Sequence, residues 1–99
     1  MLSEDDVRRL IADGEQLDVE FRGEELAPLA DAELVEAVVC LANARGGVLL
    51  VGVEDDGRPT GARTRHGSYT DVGRVEALVG NRTVPNCPVE CSLVALDGR

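Results

Sequence analysis

The sequence predicts an α/β domain of the α+β kind: a small mixed sheet with flanking helices, in the order α-β-α-β-β-α-β. Three observations carry this expectation. "LDVEFR", Leu17 to Arg22, alternates apolar and polar residues with the period of two that marks a half-buried strand. "VLLVGV", Val48 to Val53, is apolar throughout, as befits a strand covered on both faces at the centre of a sheet. Around these two runs, three segments place their apolar residues at helical spacing.

The elements follow in order. "SEDDVRRLIADG" offers Ser3 as an N-cap, acids in the first turn, Val7, Leu10 and Ile11 on one face, and Gly14 as the stop. After the alternating strand, "GEELAPLA" reads as a loop. Asp31 can then cap a helix running to Ala44, with Leu34, Val38, Leu41 and Ala42 on its buried stripe. Gly46 or Gly47 can end that helix in the left-handed region and let the chain reverse directly into the apolar strand. "EDDG" turns that strand, because Asp56-Gly57 is a strong hairpin signal, and "RPTGA" should return antiparallel as an edge marked by Pro59. "YTDVGRVEALVGN" predicts a helix over Asp71 to Asn81, capped by Thr70 or Asp71, with Gly80-Asn81 as its stop. A strand is expected from Val89 to Leu96, followed by an Asp-Gly turn whose second strand is missing. The 99 residues therefore read as a single domain, 1–99, that is the N-terminal fragment of a longer protein. An unpaired Val89–Leu96 edge would favour a homodimer or another strand-to-strand homo-oligomer.

Composition sets the classes aside. With 43% hydrophobic and 29% charged residues the chain suits a globular fold, not a disordered one, despite a net charge of −9. No apolar run approaches the roughly 20 residues a membrane helix needs. The acidic start is unlike a secretory signal, and Cys40, Cys87 and Cys91 are an odd number, so an intracellular, cytoplasmic setting is expected. The glycines of "GGVLLVG" precede a strand, whereas a phosphate-cradling loop follows one, and no G-x4-G-K-[ST] occurs, which excludes a P-loop. A four-ligand zinc site would require Cys40 to converge with Cys87, Cys91 and His66, the lone histidine.

The order of elements, with "GEQLDVEFR" followed by "LANARGGVLLVGVEDDGRPTG", resembles the Schlafen/AlbA-like domain, the DNA-binding domain at the N-terminus of bacterial transcriptional regulators. The landmarks are E-x4-E-F-[KR], here Glu15 to Arg22, and A-N-x-x-G-G-x-[LI]-[LI]-[IV]-G-V-x-D-D-G, here Ala42 to Gly57. The sequence departs from the family pattern at Leu41, where an aromatic is usual, at Ala44, where a small hydroxyl residue is usual, and at Arg22, where lysine is commoner. The resemblance implies a nucleic-acid partner. The basic segment "RPTGARTRHG" supplies candidate phosphate contacts in Arg58, Arg63, Arg65 and His66, with Arg22 on the first strand beside them.

The resemblance also implies a second chemistry. In vertebrate Schlafens two glutamates five apart and a downstream aspartate form a divalent-metal ribonuclease site, and the matching residues here are Glu15, Glu20 and Asp55, with Asp56 as substitute ligand. Such carboxylates suit Mg²⁺ or Mn²⁺, which can generate hydroxide and stabilise a phosphodiester leaving group. The same residues have plainer uses: Asp55-Asp56 in the turn, and Glu20 in an ion pair with Arg22 or Arg45. The absence of lysine near the acids and the presence of only two aromatics, Phe21 and Tyr69, count against a nuclease. A third reading is an oligomerisation or structural module of a larger regulator, consistent with the acidity.

Overall fold

The structure, a computed structural model, describes residues 2–83 and 89–96. Its elements are α1 (Glu4–Asp13), β1 (Val19–Arg22), α2 (Asp31–Ala44), β2 (Val48–Val51) and α3 (Val72–Arg82). The α/β class holds. The two strands pair in parallel, Val19 opposite Val48 and Arg22 opposite Val51, with α2 as the crossover between them. A parallel pair requires such a crossover, because no tight turn can return the chain to the same end of the sheet.

Each helix starts and stops for local reasons. Ser3 and Asp6 form a reciprocal capping box on α1: Ser3 Oγ accepts the Asp6 N–H at 3.2 Å and Asp6 Oδ2 accepts the Ser3 N–H at 2.9 Å. These bonds hold the Asp6 carboxyl below its usual range. Asp71 Oδ1 caps α3 by accepting the N–H groups of Gly73 and Arg74. That helix continues past Gly80-Asn81 to Arg82, and the Thr83 hydroxyl donates to the Val79 carbonyl beyond its end. Asp31 lies inside the first turn of α2 and not at its cap, which is Ala30 with no side-chain bond. Its carboxylate there complements the helix dipole.

The two faces of the sheet bury different clusters. On one, Val19, Phe21 and Val53 pack with Leu10 and Ile11 of α1 and with Leu50. On the other, Leu49 and Val51 pack against Leu34 and Val35 of α2 and Val75 and Val79 of α3. Ala42, expected on the buried stripe of α2, is exposed, whereas Val35 and Ala37 are buried. Leu17 is 92% exposed, because the chain turns through the Gln16–Val19 bridge before β1 begins.

Three expectations about the sheet need correction. β2 is half-buried, and among the described residues it pairs in a ladder with β1 alone, so it is not the centre of a sheet. The hairpin turn at Asp56-Gly57 forms, with Gly57 at φ 91° and the Glu54 N–H bonded to the Arg58 carbonyl at 2.9 Å. Its return leg, however, makes only the bridge Val53–Pro59. Pro59 has no N–H to donate, and both Thr60 and Gly61 donate to the Gly52 carbonyl, so the ladder cannot propagate. Residues 89–96 are irregular and not a strand: the Cys91 N–H goes to the Glu76 carboxylate at 2.7 Å. Val89 and Cys91 pack on the core and Leu96 is buried, but the segment stands off β2 and leaves a groove of about 1030 Å³. Burial and the adjacent Glu76 push the Cys91 thiol pKa up. Cys87 and the Asp-Gly turn at 97–98 lie outside the described residues.

Gly46 and Gly47 separate conformation from contact. Both have positive φ, 81° and 143°, but a Cβ on Gly46 would meet open space, whereas on Gly47 it would strike the Asp18 carbonyl. That carbonyl accepts the Val48 N–H at 2.8 Å and sets the register of the parallel pair. Gly46→Ala is expected to lower the urea midpoint by an amount equivalent to about 1 kcal/mol, the strain of a left-handed residue. Gly47→Ala should cost clearly more, because backbone must move as well.

Candidate nucleic-acid interface

The loop after β1 holds the most constrained polar group among the described residues. Glu24 is 2% exposed, and a buried carboxylate is tolerated only when hydrogen-bonded and paired. It accepts the Leu29 N–H at 2.6 Å and the Arg63 N–H at 2.8 Å, with the Arg65 guanidinium 3.6 Å away. The Arg63 side chain donates from Nε to the Glu24 carbonyl at 2.7 Å and from Nη2 to the Glu25 carbonyl at 3.0 Å. Arg65, its side chain 13% exposed, also donates to Asp31 at 2.6 Å. The basic segment is thus tied to acids and carbonyls of its own chain.

The other sequence-selected residues are also locally engaged. Arg58 pairs with Asp56 at 2.8 Å and Glu25 at 3.6 Å; its guanidinium holds the Asp56 carboxyl below the usual carboxylate range, and Asp56 raises Arg58 in return. Arg22 pairs with Glu20 at 3.0 Å, and its Nε is buried without a partner. Glu15 Oε1 accepts the Phe21 N–H at 2.9 Å. Together with the paired Gln16 and Val19, that bond closes the outer edge of β1. Asp55 is exposed on the turn. Glu15, Glu20, Asp55 and Asp56 are not brought together: among the described residues no three His, Cys, Asp or Glu side chains are grouped to hold a metal ion. The donor set does not fit Mg²⁺ or Mn²⁺, which need several oxygens converging on one point.

Beside Arg65 the chain forms an open cleft of about 310 Å³ between the start of α2, the 65–66 loop and α3, lined by Asp31, Arg65, His66, Arg74, Leu78 and Asn81. His66 Nδ1 accepts the Asp71 N–H at 2.9 Å. In the neutral ring this places the proton on Nε2, so a ring lining the cleft has one N–H left to donate. Among the described residues the Arg74 guanidinium makes no ion pair. Arg74 and Asn81 are seven residues apart on α3, so they lie on one face two turns apart. That spacing was present in the sequence; Arg74 and Asn81 were missed because one arginine on an amphipathic helix reads as a solvated face.

Against known proteins, the Schlafen, AlbA_2 family model matches residues 15–99. The chain belongs to that family. No curated protein and no solved structure matches it. The match begins at Glu15, after α1, and covers every element from β1 onward. Among the described residues, no helix of this Schlafen, AlbA_2 domain is long and apolar enough to cross a membrane.

The Glu24 contacts predict a stability phenotype. Glu24→Ala leaves two N–H groups without their acceptor and the enclosed Arg65 with Asp31 alone, and should lower unfolding free energy by about 3 kcal/mol or more, read from urea denaturation. Glu24→Gln keeps an accepting oxygen and should cost less. Glu15→Ala, at an exposed edge, should cost about 1 kcal/mol.

Proposed function

We propose that this domain is a nucleic-acid-binding module of a regulator-like protein, and that it contacts phosphates through Arg74, His66 and Asn81. The observation that carries this reading is the cleft itself: a guanidinium without an internal ion pair, a histidine with one N–H to donate, and a side-chain amide, all on one surface, whereas the arginines of the 58–65 segment are engaged within the chain. A guanidinium offers two parallel N–H groups to a phosphate, and an imidazole N–H adds a third donor. Arg65, fixed between Glu24 and Asp31, holds the wall of the cleft without leaving its partners. Family membership supports a nucleic-acid-related role of this kind. No hydrolytic step is assigned to Glu15 and Glu20, because among the described residues no three His, Cys, Asp or Glu side chains are grouped to hold a metal ion.

An oligomerisation module is the second reading, favoured by the half-buried apolar β2 alongside the groove. Sedimentation at rising concentration tests it. A single species of monomer mass throughout would remove it.

The nucleic-acid reading is tested by fluorescence anisotropy with labelled oligonucleotides at low and rising salt. With so few phosphate donors, log K should fall with log salt with a slope of about −2, far shallower than that of proteins with a broad basic face. Arg74→Ala should weaken binding and reduce that slope by about one unit, with an unchanged melting temperature. Arg63→Ala and Arg65→Ala should instead lower the melting temperature, because each strips contacts from the Glu24 loop. Absence of binding at low salt would overturn the reading.

A further inference from the structure

Tyr69 is 56% exposed, and it belongs to a segment held at several points. The His66 N–H donates to the Tyr69 carbonyl at 2.9 Å and the Arg65 N–H to the Thr70 hydroxyl at 3.1 Å. The Thr64 hydroxyl donates to the Gly67 carbonyl at 2.7 Å, and Asp71 N–H to the His66 ring. His66 and Tyr69 are antiparallel bridge partners, so their side chains leave the backbone on the same face. Their ring centroids lie 6.4 Å apart, the planes tilted by 52°. With more than half of its surface in water on a braced backbone, the ring needs no ordering before it meets a ligand.

We propose that Tyr69 is a base-stacking residue and that the ligand is a single-stranded nucleic acid, one base lying on the Tyr69 ring while its own or an adjacent phosphate occupies the cleft of His66 and Arg74. This rests on the nucleic-acid reading above and narrows it. The two rings lie on the scale of a single nucleotide, whose base and phosphate can reach both at once. A duplex cannot use the arrangement, because its bases are stacked on one another and only its phosphates face the protein. One ring takes one base, so the scarcity of aromatics limits the length of the footprint and not its existence. Every base has a π-face, so the stack fixes strandedness without reading sequence.

The chain reports on this contact directly, because Tyr69 is its single tyrosine and there is no tryptophan. The probes are a short oligodeoxyuridylate, a short oligouridylate and a duplex of the same length, each followed by anisotropy and by the intrinsic tyrosine emission of the full chain. Quenching of that emission by either single strand at saturation, with weaker and non-quenching binding of the duplex, is expected, and the tighter single strand identifies the sugar. Tyr69→Ala should weaken single-strand binding roughly tenfold or more with an unchanged melting temperature, and Tyr69→Phe should preserve it. Unquenched emission at saturation, wild-type affinity in Tyr69→Ala, or preference for the duplex would overturn the stacking proposal. If binding in those cases still falls in Arg74→Ala, the cleft reading survives alone; absence of binding by all three probes overturns both.

Discussion

The Glu24 carboxylate is the constraint around which the functional surface is arranged. A carboxylate this deeply buried must find hydrogen-bond donors for its lone pairs and a counter-charge, and it takes them from two separate stretches of chain: Leu29 on the approach to α2, and Arg63 and Arg65 on the segment after the hairpin. Arg65 extends the network to Asp31 in the first turn of α2. The loop following β1, the start of α2 and the chain leading to α3 are therefore fixed relative to one another by charge and hydrogen bonding. Apolar residues position the helices on the sheet; Glu24 positions the loops between them.

This division explains what could and could not be foreseen from the residues. Ser3, Gly14 and Asp71 were legible as caps and stops because capping is local: the acceptor and the N–H it satisfies lie within a few residues. The periods of α2 and β1 were legible for the same reason. Glu24 was not, since in "GEELAPLA" it resembles any solvated loop acid, and its main partners are 39 and 41 positions away. The arginines of the 58–65 segment suffered the converse error. Their charge could be counted in the sequence, but the acids that neutralise it could not be assigned, so a loop that is basic in composition is internally compensated in space.

The sheet fell short of expectation for a similar reason. An all-apolar run such as Val48–Val53 announces burial without saying what does the burying. Here three helices, the first strand and an irregular segment share the task. The backbone at Pro59 and the capture of the Cys91 N–H by Glu76 prevent either following segment from completing a ladder. Strand propensity at 89–96 thus contributed side chains to the core without contributing hydrogen bonds to the sheet, a separation of packing from pairing that no pattern of apolar residues reveals.

The same charge arithmetic shapes what the cleft can hold. A chain of net charge −9 repels a polyanion over the screening distance of about 8–10 Å, so long-range attraction cannot carry recognition here. What remains is short-range: a guanidinium fork, an imidazole N–H with its tautomer fixed by Asp71, an amide, and an aromatic face. Such contacts are orientation-dependent, and a ligand must fit them to overcome the repulsion of the rest of the surface. A rigid duplex brings many phosphates toward an acidic protein at once and gains few of these bonds. In the proposed complex a flexible single strand would present one nucleotide to the cleft and keep its remaining charges in solvent, so the acidity of the domain would act as a filter favouring a ligand able to bend away from it.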